Sequence, residues 1–243
     1  MTPLSTIGPG PDEPLDAVDE RRRQVVEVAA QLLGEDGPHG LSLRRVAERA
    51  GASTQIVYTL FGGKPGLGDA LYREGFRRLG RSMSQALAEA PPAGDPARLL
   101  ALGHGYRRFA TAEPDFFSVM FGRSVPGFTP SRETRFAGRE QTLGQVVQAA
   151  AECLAAGTLV APSAEQLARA CWVTAHGLAS LQVAGLLLVA DVDAFADVVL
   201  RGPLDAHRPT GQDGPVPARA APPSAGQERS RRIGSAGPHR SPG

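Results

Sequence analysis

The sequence predicts an all-α protein built from a series of amphipathic helices. Several long segments place apolar residues three and four positions apart, which is the repeat of one helix face. No segment alternates apolar and polar residues as a half-buried strand does. Hydrophobic residues make up 42% of the chain but aromatic residues only 5%, so the helices must pack mainly through aliphatic side chains.

The composition limits the classes of protein that fit. With 26 basic and 25 acidic residues, net charge gives no support for nucleic-acid binding, and only local clustering can. Cys153 and Cys171 have neither metal-ligand spacing nor the pattern of a disulfide framework. The chain start does not resemble a signal peptide, and the longest apolar run, residues 186–190, is too short to cross a bilayer. We therefore expect a cytoplasmic protein with no membrane association, metal or cofactor.

The first helix is expected at residues 19–35. Residues 1–18 are rich in proline and poor in apolar side chains, which predicts a disordered arm. The helix then carries one apolar stripe, made by Val25, Val28, Ala29, Leu32 and Leu33. The run of glycine, proline and histidine at positions 37–40 ends it.

Residues 41–64 predict two short helices joined by a tight turn. Ser42 stands at the N-cap position of the first helix, and Gly51 supplies a backbone suited to a left-handed turn. Ser53 or Thr54 can cap the second helix, whose apolar side chains face inward. Its outer side is polar and consists of Thr54, Gln55, Tyr58 and Thr59. This is the arrangement of a helix-turn-helix, whose second helix enters the major groove of DNA.

Six further helices are expected, at residues 65–90, 96–112, 115–122, 131–156, 164–189 and 192–201. Four glycines weaken the helix at 65–90, so packing must hold it. Its Arg77, Arg78 and Arg81 are expected to face solvent. We divide the chain into the arm 1–18, a helix-turn-helix domain 19–66, a second helical domain 67–201 and a disordered tail 202–243.

The segment 41–64 resembles the DNA-binding domain of the tetracycline-repressor (TetR) family of bacterial transcription regulators. The family pattern is matched by Leu41-Ser42, Arg44, Ala47, Gly51-Ala52-Ser53, Val57-Tyr58, Phe61 and Lys64. Gly62-Gly63 replaces the polar residues usually found before the lysine. Arg21, Arg22 and Arg23 open the first helix. The resemblance implies that they contact phosphates, and the alternative is that they form a solvated helix face.

A second resemblance lies within residues 67–201 and implies that they form a regulatory and dimerisation domain, here called the regulatory half. Tyr106-Arg107-Arg108-Phe109-Ala110, Glu113-Pro114, Phe116-Phe117, Met120-Phe121-Gly122, Trp172 and His176-Gly177 look like the TetR regulatory subclass defined by its tryptophan, histidine and glycine. The two resemblances together cover about residues 20–200. They imply a homodimer in which the helices at 164–189 and 192–201 pair with their symmetry mates as a four-helix bundle.

The candidate DNA contacts follow from residue chemistry. Gln55 can hydrogen-bond a base edge, and Arg44 can bind guanine in bidentate fashion. Side chains suited to phosphate oxygens are Ser42, Ser53, Thr54, Tyr58, Thr59 and Lys64. The alternative is that neither Tyr58 nor Arg44 contacts DNA: Tyr58 packs against neighbouring side chains, and Arg44 is exposed to solvent.

The candidate ligand site combines apolar walls with a few polar groups, as small-molecule cavities do. Its residues are His104, Tyr106, Phe109, Phe117, Met120, Phe121, Trp172 and His176, with Phe116 beside them. The alternative is that these side chains are simply core. No nucleophile motif, phosphate loop or metal cluster suggests an enzyme. We therefore expect a ligand-responsive repressor that binds a palindromic double-stranded DNA operator as a homodimer and is released by an unidentified small molecule. The alternative is a DNA-binding regulator without a ligand, controlled by a partner protein or by abundance.

Overall fold

The computed structural model describes residues 15–37, 41–122, 125 and 127–210. All regular secondary structure in these ranges is helical, which confirms the all-α prediction. The described residues up to Pro209 belong to one compact unit. The arm before residue 15 and the tail beyond residue 210 lie outside the described residues, so the predictions made for them stay predictions.

The described part contains helices α1 to α9, numbered in chain order. Their bounds are α1 Leu15–Asp36, α2 Leu43–Arg49, α3 Thr54–Phe61, α4 Lys64–Ala88, α5 Ala97–Ala112, α6 Pro114–Phe121, α7 Arg132–Ala155, α8 Ala164–Val183 and α9 Val192–Asp205. None of these helices is long and apolar enough to span a membrane.

Three helix ends differ from the expected positions by more than two residues. Helix α1 begins at Leu15, four residues before its expected start. Helix α8 ends at Val183 rather than at position 189, because Gly185 adopts φ 68° and its N–H bonds the carbonyl of Gln182. Helix α9 continues past position 201 to Asp205, because Leu204 is buried in the core.

Helix α4 is the central element, and α7 runs parallel to it. Near the starts of both helices, Thr134 donates to Asp69 at 2.8 Å. Further along, Gln145 donates to the carbonyl of Gly80 at 3.0 Å, and Ser84 donates to Gln145 at 3.1 Å. Helix α5 packs along α4, α8 covers α5 and α7, and α9 closes against α8 and α5.

The glycines of α4 lie where other elements approach most closely. A Cβ added at Gly75 would stand 2.6 Å from the sulfur of Met120, and one at Gly80 would stand 2.9 Å from the carbonyl oxygen of Gln141. Gly138 of α7 similarly lies against the ring of Phe76. Low helix propensity in α4 is therefore offset by close helix packing, which a larger residue would disrupt.

Candidate nucleic-acid interface and regulatory core

The helix-turn-helix is formed by α2, the turn at residues 50–53 and α3. Ser42 caps α2 by accepting from the N–H of Arg45, and Ser53 caps α3 by accepting from the N–H of Ile56, both at 3.2 Å. The turn closes through Gly51 at φ 63°. Ile56 and Val57 bury the inner face of α3, as the helical spacing predicts.

The outer face of α3 is exposed. Thr54, Gln55, Tyr58 and Thr59 all face solvent, and the Tyr58 side chain is 55% exposed. Arg44 is exposed on α2. The hydroxyl of Thr59 donates to the carbonyl of Gln55, so it meets any external group as an acceptor. Ser42 and Ser53 accept through their oxygens as caps, which leaves each hydroxyl hydrogen able to donate to a second partner.

Helix α1 fixes the orientation of the helix-turn-helix through arginine contacts. Arg45 pairs with Asp36, and Arg49 forms a two-bond pair with Glu35. The hydrogen bond from Arg49 lowers the pKa of Glu35. Both arginines therefore hold α2 against the end of α1, whereas Arg44 is exposed and takes part in neither pair.

Arg22 has a structural position that the sequence alone does not reveal. Its guanidinium donates to the carbonyl of Leu60 at 2.5 Å and lies 4.6 Å from the centre of the Phe61 ring. A cation at the C-terminal end of a helix satisfies orphan carbonyls and complements the helix dipole. Arg22 thus anchors the end of α3 to α1.

Lys64 opens α4 after two glycines with positive φ, Gly62 at 68° and Gly63 at 110°. The N-terminus of α4 has no side-chain cap, so its backbone N–H groups are free of a capping oxygen. A lysine beside an uncapped helix N-terminus favours an anion such as a phosphate.

Arg78 does not face solvent as expected but joins three parts of the molecule. It donates through Nε to Glu74 of α4 at 2.8 Å, through Nη2 to Glu27 of α1 at 2.6 Å and through Nη1 to Glu113 at 2.9 Å. Its guanidinium also stacks 4.3 Å from the centre of the Phe116 ring on α6. Burial opposes its charge, but the hydrogen bonds to Glu74 and Glu27 raise its pKa overall. Arg78 therefore connects the helix-turn-helix support, α1, to the regulatory half.

Five of the candidate ligand residues converge around His176. The ring of His176 stacks on Trp172 at 5.3 Å with an interplanar angle of 9°, and its Nδ1 shares a 2.7 Å hydrogen bond with Tyr106. Phe117 and Phe121 of α6 lie 5.7 and 4.6 Å from the same ring. Burial lowers the pKa of His176 and raises that of Tyr106, so both are neutral at pH 7.

Of the other three candidate ligand residues, Met120 and His104 have partners outside this cluster. Phe109 is buried, and Met120 packs against Gly75 of α4. His104 bonds Asp197 of α9 at 2.7 Å and faces away from the cluster. The reason is helical geometry, because His104 and Tyr106 are two residues apart on α5 and so point to opposite sides.

The space beside Trp172 is small. It measures about 10 Å³ and is lined by Tyr106 and Trp172 together with residues that sequence reasoning missed: Met83, Leu99, Leu102, Gly103, Val146, Cys171, Ala175 and Leu200. This volume is close to that of a single water molecule. The missed residues are ordinary aliphatic core positions, and no local signal marks them.

An apolar face on α8 and α9 is exposed in the single chain. Val173, Leu181 and Val198 are 61%, 46% and 70% exposed, and Phe195 is 38% exposed. Leu178 of α8, by contrast, is buried in the core. Exposed apolar side chains grouped on two neighbouring helices are typical of an interaction surface.

Comparison with known proteins places both halves of the chain in one family. The model for "Bacterial regulatory proteins, tetR family" matches residues 25–71, and that for "Tetracyclin repressor-like, C-terminal domain" matches residues 99–202. The HTH-type transcriptional regulator BetI of Yersinia pestis (strain Pestoides F) is 40% identical over 86 residues, which are 35% of this chain and 43% of that protein. The chain thus spans less than half the length of this curated relative.

Two solved structures resemble the whole fold. A protein of unknown function from Rhodococcus sp. RHA1 is 30% identical with a TM-score of 0.67, over 78% of this chain and 95% of that one. A TetR family transcription regulator from Marinobacter aquaeolei VT8 has a TM-score of 0.63 over 79% of this chain and 98% of that one. Its identity is only 14%, so it supports the fold alone.

Proposed function

Because this chain belongs to the TetR family, whose members are DNA-binding transcription regulators and not enzymes, we propose that it represses transcription from a palindromic operator as a homodimer. We propose further that a small molecule releases it from DNA. This role places it in the bacterial cytoplasm. Its regulatory domain is proposed to be of the subclass with the tryptophan, histidine and glycine of Trp172 and His176-Gly177.

The exposed polar face of α3 is the observation that carries the DNA-binding proposal. Gln55 is exposed on this face and is proposed to bind base edges, and Arg44 takes part in neither of the ion pairs that hold Arg45 and Arg49. Contacts to phosphate are proposed for Ser42, Ser53, Thr54, Tyr58 and Lys64. Thr59 already donates its hydroxyl hydrogen to the carbonyl of Gln55, so it would have to give up that bond to join them. Base contacts set the preferred sequence, whereas phosphate contacts set position and overall affinity.

This division predicts different effects for Gln55→Ala and Lys64→Ala. Gln55→Ala should change the preferred bases, because it removes a base-edge hydrogen bond of about 1–3 kcal/mol. Lys64→Ala should weaken all sequences alike and reduce the slope of log affinity against log salt by about 1. Binding titrations at several salt concentrations measure both effects, with the exposed Arg108→Ala on α5 as control. A Lys64→Ala variant with an unchanged slope would exclude the phosphate contact.

Selection of bound sequences from randomised DNA tests the dimeric operator. A two-fold symmetric regulator should enrich an inverted repeat whose half-sites are whole helical turns apart. Enrichment of single, unrepeated sites would contradict the proposal. The dimer itself is proposed to form through the exposed apolar face of α8 and α9.

The proposed ligand response depends on α6. On one side of this helix Phe117 and Phe121 contact His176, and on the other Phe116 contacts Arg78. Since the space beside Trp172 holds about one water, a ligand must displace side chains there. Such displacement would move α6, and with it the Arg78 link to Glu27 of α1. A coupling of about 1–3 kcal/mol would then weaken operator binding about 5- to 150-fold.

The emission of Trp172, the single tryptophan, tests this response. A compound that enters beside Trp172 should change its emission and release operator DNA over one concentration range, and Phe117→Ala should alter both curves together. Trp172→Phe serves as the spectroscopic control. If releasing compounds leave the emission unchanged and bind Phe117→Ala and His176→Ala normally, the ligand site lies elsewhere. If a broad screen finds no releasing compound, the closely packed core favours the second candidate. That candidate is a regulator controlled by a partner protein or by its own abundance.

A further inference from the structure

A groove of about 750 Å³ lies between α1, α4 and α7, on the boundary between the helix-turn-helix support and the regulatory half. It shares no lining residue with the space beside Trp172. Its volume falls within the range of small-molecule sites. None of the proposed operator contacts lines it, and the proposed ligand response involves only two of its lining residues, Arg78 and Glu27.

The floor of the groove is apolar and partly aromatic. Val26 of α1 and Tyr72 and Phe76 of α4 contribute their buried side chains, and Ala137 with Gly138 completes the α7 wall. The rings of Tyr72 and Phe76 are 4.9 Å apart and tilted by 44°. Such a floor suits the flat or branched apolar body of a small organic molecule.

The rim of the groove is basic. Five arginines and three glutamates line it, which leaves two positive charges in excess. Arg78 is saturated by its three carboxylates, but Arg73 and Arg77 are about half exposed. Arg73 donates through Nε to Asp69 and through Nη2 to Thr134, and Arg77 donates to Glu74 through Nε and Nη2. Among the described residues, Nη1 of both arginines has no partner and is available to an anion.

We propose that this groove binds a small organic anion, with its apolar body on Tyr72 and Phe76 and its carboxylate or sulfonate on Arg73 and Arg77. Charge-assisted hydrogen bonds to guanidinium groups orient such an anion. An inorganic ion would leave the apolar floor uncovered, and a neutral apolar compound would leave the guanidinium rim unused. Because α1 forms one wall, the bound anion stabilises the position of α1 against α4 and α7, and it should raise the unfolding temperature.

A matched pair of fluorescent probes tests the proposal without DNA, so failure of operator binding would not affect the result. The anionic probe is 8-anilinonaphthalene-1-sulfonate, and the neutral one is N-phenyl-1-naphthylamine. Replacing both arginines, R73Q with R77Q, should weaken the sulfonate about tenfold or more, the effect of losing a charge-assisted hydrogen bond. It should leave the affinity for the neutral probe unchanged. Equal losses for both probes, or none for the sulfonate, would overturn the proposal.

A blocking variant locates the site independently. Ala137→Trp places a large side chain in the groove, whereas Ala151→Trp places the same side chain on an exposed position of α7 outside it. We expect Ala137→Trp to abolish the groove-dependent sulfonate binding and Ala151→Trp to retain it. Circular dichroism and the unfolding temperature verify that each variant is folded. If the two tryptophan variants bind the probe alike, the sulfonate binds elsewhere and the groove is not the site.

Discussion

Val198→Arg in α9 is expected to convert the proposed dimer into monomers that no longer bind the operator. Val198 is 70% exposed in the single chain and lies on the apolar face that α9 shares with Val173 and Leu181 of α8. If this face pairs with its symmetry mate, each arginine becomes a buried charge without a partner. Such a charge costs about 3–5 kcal/mol, which weakens dimerisation more than about 100-fold.

Loss of operator binding follows from loss of the dimer. A monomer contacts one half-site, so it forfeits the combined contacts of two reading heads. Sedimentation equilibrium measures the association, and DNA titration of the same samples measures operator affinity. Leu181→Arg should repeat both effects from the neighbouring helix.

Val160→Arg is the matched control for this prediction. Val160 is 60% exposed, in the connection between α7 and α8, outside the α8 and α9 face. The same charge there should leave both sedimentation and operator affinity unchanged. If Val198→Arg sediments like the control, the dimer uses a different surface.

Features that depend on nearby residues could be predicted from the sequence. The caps of α2 and α3 join Ser42 to Arg45 and Ser53 to Ile56, each three residues away. Helical spacing likewise separates the buried Val57 from the exposed Tyr58. Such patterns depend only on the helix repeat, so the sequence predicts the helix-turn-helix without knowledge of the elements packed around it.

Two differences have local causes that the sequence contains. Gly185 marks the end of α8 through its left-handed backbone, but the apolar residues beyond it suggest a longer helix. Residue type groups His104 and Tyr106 in one candidate site, but residues two apart on a helix point to opposite sides. The sequence therefore contains the cause of both differences, in a glycine after a helix and in the angle between helical positions.

Other features depend on contacts between distant residues, and no local pattern encodes them. Arg78 pairs with Glu27 and Glu113, which are 51 and 35 positions away. Arg22 reaches Leu60 across 38 positions. The sequence pattern of an amphipathic helix predicts that an arginine on its polar side is exposed to solvent. Only the positions of the neighbouring elements show whether it is paired instead. Tyr106 and His176 are likewise 70 positions apart, so their hydrogen bond depends on how α5 packs against α8.

Replacing Arg78 with methionine is expected to destabilise the protein by about 2–4 kcal/mol at neutral pH. Methionine keeps much of the apolar contact with Phe116 but leaves Glu27, Glu74 and Glu113 close together without their shared cation. Removing one member of a partly buried ionic network costs more than an exposed pair, because the remaining charges stay desolvated. Urea unfolding measures the loss. Arg81→Met on the exposed side of α4 should change stability by no more than about 0.5 kcal/mol.

The pH dependence of this loss tests its electrostatic origin. Burial raises the pKa of Glu74, but hydrogen bonds from Arg77 and Arg78 outweigh it and lower that pKa below the ordinary value of 4.5. A carboxyl group with a lowered folded-state pKa stabilises the fold above its unfolded pKa and loses that contribution as pH falls through the folded value. The stability gap between wild type and Arg78→Met should therefore be full at neutral pH and should narrow below pH 4.5. A gap that stays constant into acid would mean that Arg78 acts through packing on Phe116 and not through its carboxylates.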